Sequence, residues 1–260
     1  MAVDFSDLTE KPGSLASQDQ LRRMFTRYHF ARELCEGKIV LEIACGAGQG
    51  LRYIAKKAAG IVGGDYSFSM LRQAKSLVQG TALLRLDAQN LPFRDNHFDV
   101  VILFEAVYYL ERPESFIAES GRVLKKGGRI LMCFPNRSLP DFHPSPHSFH
   151  YYSPPEMKII MEKAGFELEM FGDSPVSIYS FRDRLISGMK KAAVRMNLMP
   201  RTLKGRALLK RIFLGRLIPI PAEIENDLFP YRPPVRIDGA AADLRHRVLF
   251  AVARKFEEAV

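Results

Sequence analysis

Short apolar runs alternate with amphipathic helical patterns along this chain, and that alternation limits its fold more than any other feature. The runs predict strands at 39–44, 61–64, 81–86, 98–104, 129–134, 166–171 and 246–253. Apolar residues at helical spacing predict helices at 18–36, from 49 onward, and at 67–78, 113–124 and 154–164. Because strands that alternate with helices are joined by right-handed crossovers, we predict an α/β fold with a mainly parallel sheet.

A long segment before the last predicted strand breaks this alternation. Apolar residues recur in it at helical spacing, so we predict a basic helical insertion at 173–244 and a core made of 1–172 and 245–260. Residues 181–216 contain eleven Lys or Arg and one acid, whereas the rest of the chain contains 27 basic and 28 acidic residues. The net charge of +9 therefore belongs to this basic segment.

The basic segment has three interpretations. The first is the solvated face of a helical cap. The second is a surface for an anionic substrate or a membrane, because basic amphipathic helices bind acidic headgroups. Nucleic acid is the least favoured partner, because the sequence contains no recognisable RNA-binding module.

Composition restricts where the protein acts. No apolar run reaches the roughly 20 residues that span a bilayer, and residues 1–12 lack the apolar core of a signal peptide. The three cysteines, Cys35, Cys45 and Cys133, are far apart and form no CxxC pair, which indicates reduced thiols. We therefore predict a cytoplasmic protein, with the inner face of the membrane as the place where the basic segment would act.

The glycine-rich stretch VLEIACGAGQG, at 40–50, indicates the kind of ligand. Its glycines follow a buried strand, open a helix and allow a ligand to approach the backbone closely. A dinucleotide site would need glycine at position 51, where this chain has Leu51. Glu42 adds a carboxylate that would repel a diphosphate. The pattern therefore favours a nucleoside ligand over a dinucleotide.

Two further acids end predicted strands at the same edge of the sheet. Asp65 lies 19 residues beyond Gly46, where a carboxylate can accept hydrogen bonds from ribose hydroxyls. Asp87 ends the next strand. Because both are expected at loop edges, we predict that Asp65→Ala and Asp87→Ala weaken ligand binding by about 1–3 kcal/mol and leave folding intact.

Four stretches together resemble the successive motifs of class I S-adenosylmethionine-dependent methyltransferases of the type 11 group. They are VLEIACGAGQG, GGDYSFSMLRQA, LRLDAQNLPFRDNHFDVVILFEAVYYL and RVLKKGGRILM. The resemblance covers about residues 25–172 and resumes at the last strand. It implies a Rossmann-like three-layer sandwich, with a mostly parallel seven-stranded sheet whose last strand is antiparallel, and S-adenosyl-L-methionine as cofactor.

The resemblance also implies the cofactor-binding residues. Tyr28 lies on a helix that would cover the cofactor, and a contact between the cofactor carboxylate and Tyr28 or Arg27 stays open. The sequence has Ala44 where many members have glycine, which is tolerable if its φ stays negative. The residues implied are Tyr28, Glu42, Ala44, Gly46, Gly48 and Gly50 around the methionine part, Asp65 at the ribose, Tyr66, Met70, Asp87 and Ala88 around the adenine, and Phe104 and Glu105 at the methionine end.

The sequence does not identify a catalytic base. Methyl transfer from a sulfonium depends mainly on positioning, with a base useful where a hydroxyl or amine loses a proton. The candidates are Glu105, Tyr108, Tyr109, His143, His147 and His150. The three histidines fit no helix face and have few carboxylates nearby, so we predict no metal site.

The acceptor is open as well. We expect an O or N atom of a small-molecule, sugar or lipid-linked (glycan-like) acceptor. The alternatives are a nucleic-acid methyltransferase and a non-catalytic, membrane-associated protein that binds the cofactor.

Overall fold

A computed structural model of the protein describes residues 10–145, 147–176 and 217–256. The strands are β1 Leu15–Ser17, β2 Ile39–Ile43, β3 Gly60–Asp65, β4 Ala82–Arg85, β5 Phe98–Phe104, β6 Leu124–Pro135, β7 Phe166–Pro175, β8 Leu217–Pro219, β9 Val235–Ile237 and β10 His246–Lys255. The α-helices are α1 Gln18–Leu34, α2 Gln49–Ala55, α3 Phe68–Leu77, α4 Pro113–Val123 and α5 Pro154–Lys163, and a 3₁₀ helix spans Val107–Tyr109.

Eight of the described strands form one sheet, in the order β4-β3-β2-β5-β6-β10-β7-β9. Strands β2 to β6 are parallel to one another, and β10 runs antiparallel to both β6 and β7. The predicted Rossmann-like α/β fold with an antiparallel last strand is therefore confirmed. The sheet has one strand more than predicted, because β9 pairs with β7 at the edge. Three residues are too few to carry a periodic signal.

Apolar residues cover the central strand β5 on both faces. Val101 and Leu103 pack into the core on one side of the sheet, while Val100 and Ile102 pack into the core on the other. A parallel strand between two layers of helices needs a continuous apolar sequence, and VVILF, at 100–104, provides it. The sheet is thus the middle of three layers.

Side-chain caps determine where two of the helices begin. At α1, the Ser17 side chain accepts from the Gln20 N–H while the Gln20 side chain accepts from the Ser17 N–H. Ser153 and Glu156 form the same reciprocal cap at α5. Each cap satisfies backbone donors that no helical carbonyl reaches.

The loop after β4 is held from behind by Arg122 on α4. Its guanidinium donates to the carbonyl oxygens of Leu91 and Phe93, at 2.9 and 2.7 Å. The same guanidinium pairs with the carboxylates of Glu119 and Asp95. This network, which we call the Arg122 network, joins residues 91–95 to the helix layer.

The predicted insertion is only partly covered by the described residues. Residues 173–175 continue β7, and residues 217–244 contain β8, β9 and turns instead of helices. Strand β8 pairs antiparallel with β1, just before α1. The basic segment lies outside the described residues. The division into a core and a basic insertion therefore stays a prediction. No helix within the described residues is long and apolar enough to cross a membrane.

Candidate functional site

A cavity of about 750 Å³ opens at the carboxyl ends of β2, β3 and β5, beneath α1. Open α/β sheets bind ligands at this edge, because loops there diverge from adjacent strands. Eleven of the predicted site residues line the cavity: Tyr28, Ala44, Gly46, Asp65, Tyr66, Asp87, Ala88, Phe104, Glu105, Tyr108 and Tyr109.

Helix α1 covers the cavity and reaches the end of β2 through Tyr28. The Tyr28 hydroxyl donates to the Glu42 Oε1 at 2.8 Å, and its ring packs edge-on against Phe104, with centroids 5.6 Å apart. Glu42 is 1% exposed, and its second oxygen, Oε2, has no partner among the described residues. Burial raises the pKa of Glu42 to about 7, although the Tyr28 hydrogen bond and the nearby Arg27 act in the opposite direction.

The glycines of the turn between β2 and α2 have different structural roles. Gly46 lines the cavity with a φ of +56°, which glycine adopts readily. Gly48 and Gly50 do not line it. A Cβ at Gly48 would lie 3.2 Å from the Ala74 Cβ on α3, and one at Gly50 would overlap the Tyr28 ring. These two glycines allow helices to pack close to the turn.

Alanine at position 44, where many members have glycine, was expected to be tolerable only with a negative φ, and the structure does not meet this condition. The φ of Ala44 is +55°, in the left-handed region. An L-residue with a Cβ is disfavoured there by roughly 1–2 kcal/mol. The turn therefore carries local strain beside the cavity.

We expect Ala44→Gly to stabilise the protein by up to about 1 kcal/mol, because glycine adopts this φ without a steric penalty but loses more backbone entropy on folding. Urea denaturation of the ligand-free protein measures the change. Ala47→Gly, at a position without positive φ, is the matched control and should destabilise. A less stable Ala44→Gly variant would contradict the strain argument.

The side chain of Asp65 is hydrogen-bonded to the backbone of the site. It is 9% exposed, and its two oxygens accept from the N–H groups of Gly46 and Ser67, both at 2.8 Å. Asp65 is thus not a free loop-edge side chain, and we now expect its replacement to destabilise the protein, because removing the carboxylate leaves two backbone donors without their acceptor. Burial raises the pKa of Asp65, while the backbone N–H groups lower it.

The side of the cavity assigned to adenine is more open. Asp87 is exposed and accepts from the Gln89 N–H at 2.8 Å, and Ala88 is buried beside it. Tyr66 is half exposed beneath the guanidinium of Arg85. Met70, 1% exposed, is buried in α3 and does not line the cavity.

Glu105 lies at the end of the cavity opposite the side assigned to adenine. It follows β5 with a φ of +52°, and its Oε2 accepts from the Tyr108 hydroxyl at 3.0 Å. Burial raises the pKa of Glu105, while the charge of Arg27 lowers it. The Tyr108 ring stacks on Tyr151 with centroids 4.4 Å apart, which makes this end aromatic.

The predicted histidines lie elsewhere. His150 lines a second, shallower groove of about 380 Å³ between α4 and α5, and neither His143 nor His147 lines either cavity. Within the described part of the chain, no three His, Cys, Asp or Glu side chains are grouped to hold a metal ion. Of the candidate catalytic residues, only Glu105, Tyr108 and Tyr109 line the main cavity.

Three of the five α1 residues at the cavity, Gln20, Arg23 and Met24, were not predicted from the sequence. The cavity is lined by Gln20, Arg23, Met24 and Arg27 as well as Tyr28. This spacing forms one helical face, but a mixture of polar and apolar residues on a face does not by itself indicate ligand binding. Arg27, whose side chain is 11% exposed, pairs with Glu10 at the cavity wall. Gln49, Phe149 and Arg112 were also missed.

The fold and cavity define a Rossmann-like α/β protein with a ligand site at the carboxyl edge of its sheet. Residues 41–132 match the family described as methyltransferase domain. Over these residues the chain is thus similar to class I S-adenosylmethionine-dependent methyltransferases, a class that uses S-adenosyl-L-methionine as cofactor.

Curated relatives agree with this assignment over part of their length. A probable S-adenosylmethionine-dependent methyltransferase of Mycolicibacterium smegmatis is 30% identical over 61% of this chain and 63% of its own. The phthiotriol/phenolphthiotriol dimycocerosates methyltransferase 1 of Mycobacterium ulcerans is 36% identical over 48% of this chain and 47% of its own. The chain thus spans less than two thirds of these relatives. The structure of YcgJ from Bacillus subtilis shares the fold, with a TM-score of 0.58, 16% identity and coverage of 89% of this chain and 98% of that one.

The residues present fit the cofactor of this class. Glu42 does not line the cavity but is hydrogen-bonded to Tyr28, which does. Its Oε2, without a partner among the described residues, is a buried acceptor that an ammonium group can satisfy. Each Asp65 oxygen accepts one backbone N–H and has a further lone pair for a ribose hydroxyl. Arg27 and Arg23 line the same cavity, where Arg27 pairs with Glu10 and Arg23 pairs with Asp19.

Proposed function

We propose that the protein transfers a methyl group from S-adenosyl-L-methionine to an O or N atom of a small-molecule or lipid-linked acceptor. The observation that carries this proposal is one cavity in a methyltransferase domain, lined by Asp65 at one part and Glu105 at another, with Glu42 hydrogen-bonded to Tyr28 of the lining. Bound in it, the cofactor supplies an activated methyl group on a sulfonium.

The chain's residues have distinct tasks in this proposal. Glu42, oriented by Tyr28, would accept from the ammonium group, and Arg27 would face the carboxylate. Asp65 would accept from ribose hydroxyls, and Asp87 and Ala88 would border the adenine. Helix α1 excludes water from above. Glu105, with Tyr108 donating to it, is positioned to take a proton from the acceptor.

The acceptor class is supported by the lining of the cavity and by the relatives. Tyr108, Tyr109 and Phe149 make the Glu105 end aromatic, which suits an acceptor with an apolar part. The relatives include a fatty-acid O-methyltransferase of Mycolicibacterium smegmatis and a demethylmenaquinone methyltransferase of Tropheryma whipplei. We propose a cytoplasmic enzyme whose basic segment contacts an anionic substrate or the inner membrane face.

Calorimetric titration of S-adenosyl-L-methionine and S-adenosylhomocysteine into the purified protein is the first test, with NAD as control. Micromolar binding of the first two and none of NAD supports the proposal. S-Adenosylhomocysteine formation is then measured with fatty acids, demethylmenaquinone, reducing sugars and RNA. Turnover with RNA alone would replace the small-molecule acceptor, and binding without turnover would favour the non-catalytic alternative.

The affinity for S-adenosylhomocysteine is expected to rise about tenfold between about pH 5.5 and about pH 7, because Glu42 must be ionised to accept from the ammonium group and its pKa is about 7. Calorimetry in buffers of matched ionisation enthalpy measures this rise. Glu42→Gln should remove most of it. A parent protein whose affinity is flat across this range would contradict the role of Glu42.

The stability of the ligand-free protein should change in the opposite direction. The folded pKa of Glu42 is raised above its unfolded value of about 4.3, so its contribution to stability is full below that value. It is lost as the pH rises towards about 7. Urea denaturation of the parent and of Glu42→Gln separates this contribution from those of other groups.

Replacing Glu105 by Gln should lower kcat by about 10²–10⁴-fold if this carboxylate takes the acceptor proton. Binding of S-adenosylhomocysteine should change little, because the replacement keeps the size of the side chain. The measurement is turnover with the acceptor found in the panel. Since burial raises the pKa of Glu105, kcat of the parent should increase as the pH rises through that pKa. An unchanged kcat in the variant would assign the proton to another group.

A further inference from the structure

Gln49 is a buried polar residue of the cavity to which the sequence patterns assign no task. It is the first residue of α2, is 7% exposed and lines the main cavity. Its Nε2 has no hydrogen-bond partner among the described residues. Buried amide donors are nearly always paired in folded proteins, because an unpaired one loses its water without replacement. Among the described residues, none supplies the acceptor that the Gln49 amide needs.

Other unpartnered donors belong to the same cavity. The Nε atoms of Arg23 and Arg27, on the face of α1 that lines the cavity, also lack partners within the described ranges. The unpartnered acceptor is the Oε2 of Glu42. Helix α1 and the turn that carries Gln49 are in contact, because the Tyr28 ring packs against Gly50. The lining of the cavity thus has several donors without acceptors, and Glu42, hydrogen-bonded to Tyr28 of the lining, is an acceptor that lacks a second donor among the described residues.

An amino-acid zwitterion satisfies both needs, because its carboxylate accepts and its ammonium group donates. We propose that Gln49 donates its side-chain N–H to the carboxylate of the methionine part of the cofactor. Arg27 supplies the opposite charge, and Gln49 supplies a directed neutral donor. The assignment rests on the proposed function and adds a binding residue to it.

The test compares two ligands that differ only at the amino-acid end. S-Adenosylhomocysteine carries the carboxylate and ammonium groups, whereas 5′-methylthioadenosine keeps the nucleoside and the thioether without them. Gln49→Leu should weaken S-adenosylhomocysteine by about tenfold or more. The same change should alter the affinity for 5′-methylthioadenosine less than about twofold, since that ligand has no carboxylate to bind.

The stability of the variant separates binding from a structural role. Gln49→Leu removes a buried unpartnered donor, so the ligand-free protein should be at least as stable as the parent in urea. Gln49→Glu is the matched charge variant, and it should weaken S-adenosylhomocysteine further because two carboxylates would then face each other.

Each outcome bears on the assignment. Selective loss of S-adenosylhomocysteine affinity with stability retained supports it. Equal loss for both ligands, no loss for either, or a large loss of stability would overturn it. If the parent protein binds neither ligand, the proposed function is overturned as well. If Gln49→Leu binds S-adenosylhomocysteine as tightly as the parent does, only the role of Gln49 is overturned.

Discussion

Asp65→Ala is expected to lower the free energy of unfolding by about 3 kcal/mol as well as to weaken cofactor binding by about 1–3 kcal/mol. The loss of stability follows because the buried carboxylate accepts hydrogen bonds from the backbone N–H groups of Gly46 and Ser67. The loss of affinity follows from its proposed ribose contacts. Urea denaturation of the ligand-free protein and calorimetry with S-adenosylhomocysteine measure the two effects separately.

Asp87→Ala is the matched control for this result. Asp87 is exposed and caps only its own turn through the Gln89 N–H, so its loss should cost less than about 1 kcal/mol of stability. Both variants should bind S-adenosylhomocysteine more weakly. An Asp65→Ala variant as stable as the parent would show that these backbone bonds are replaced by water. Unchanged affinity in both variants would place the nucleoside elsewhere.

Gly50→Ala should destabilise the protein by about 3 kcal/mol, because the added methyl group overlaps the buried Tyr28 ring. Moving that ring breaks the hydrogen bond to Glu42, whose carboxylate is then buried with no donor among the described residues. Binding of S-adenosylhomocysteine should weaken with it, since Tyr28 orients Glu42. Thermal and urea denaturation measure the first effect, and calorimetry measures the second.

Gly60→Ala is the control, because its Cβ would lie 3.4 Å from the Ile39 side chain, an ordinary contact, and its φ is not positive. The overlap itself is tested by the double variant Tyr28→Ala with Gly50→Ala. The double variant should lose less stability than the two single variants lose together, since the methyl group at position 50 no longer overlaps a ring. Additive losses would mean that Gly50 is needed for another reason.

The sequence predicts the sheet well because buried parallel strands consist mostly of consecutive apolar residues. Strand β5 was predicted residue for residue, and β2 ends one residue before its predicted end. Strands β8 and β9, three residues each, have no such signal and depend on pairing with β1 and β7. Their formation is decided by tertiary contacts.

The candidate site was predictable where a residue lies at a strand end. Gly46, Asp65, Asp87 and Glu105 all lie at the cavity for that reason. Spacing could not reveal the left-handed φ of Ala44, because alanine, unlike glycine, is not typical of a positive φ. Nor could it reveal Gln49, whose importance depends on burial without a partner.

The Arg122 network has a consequence for the rate of binding. It fixes the carbonyl groups of Leu91 and Phe93 behind the loop that carries Asp87 and Ala88. A nucleoside arriving at this loop meets a surface that already has its bound shape, so little chain entropy is lost on this side of the cavity. Encounters there are not delayed by loop ordering. Any slow step in association should then come from α1, which must admit the ligand beneath Arg27 and Tyr28.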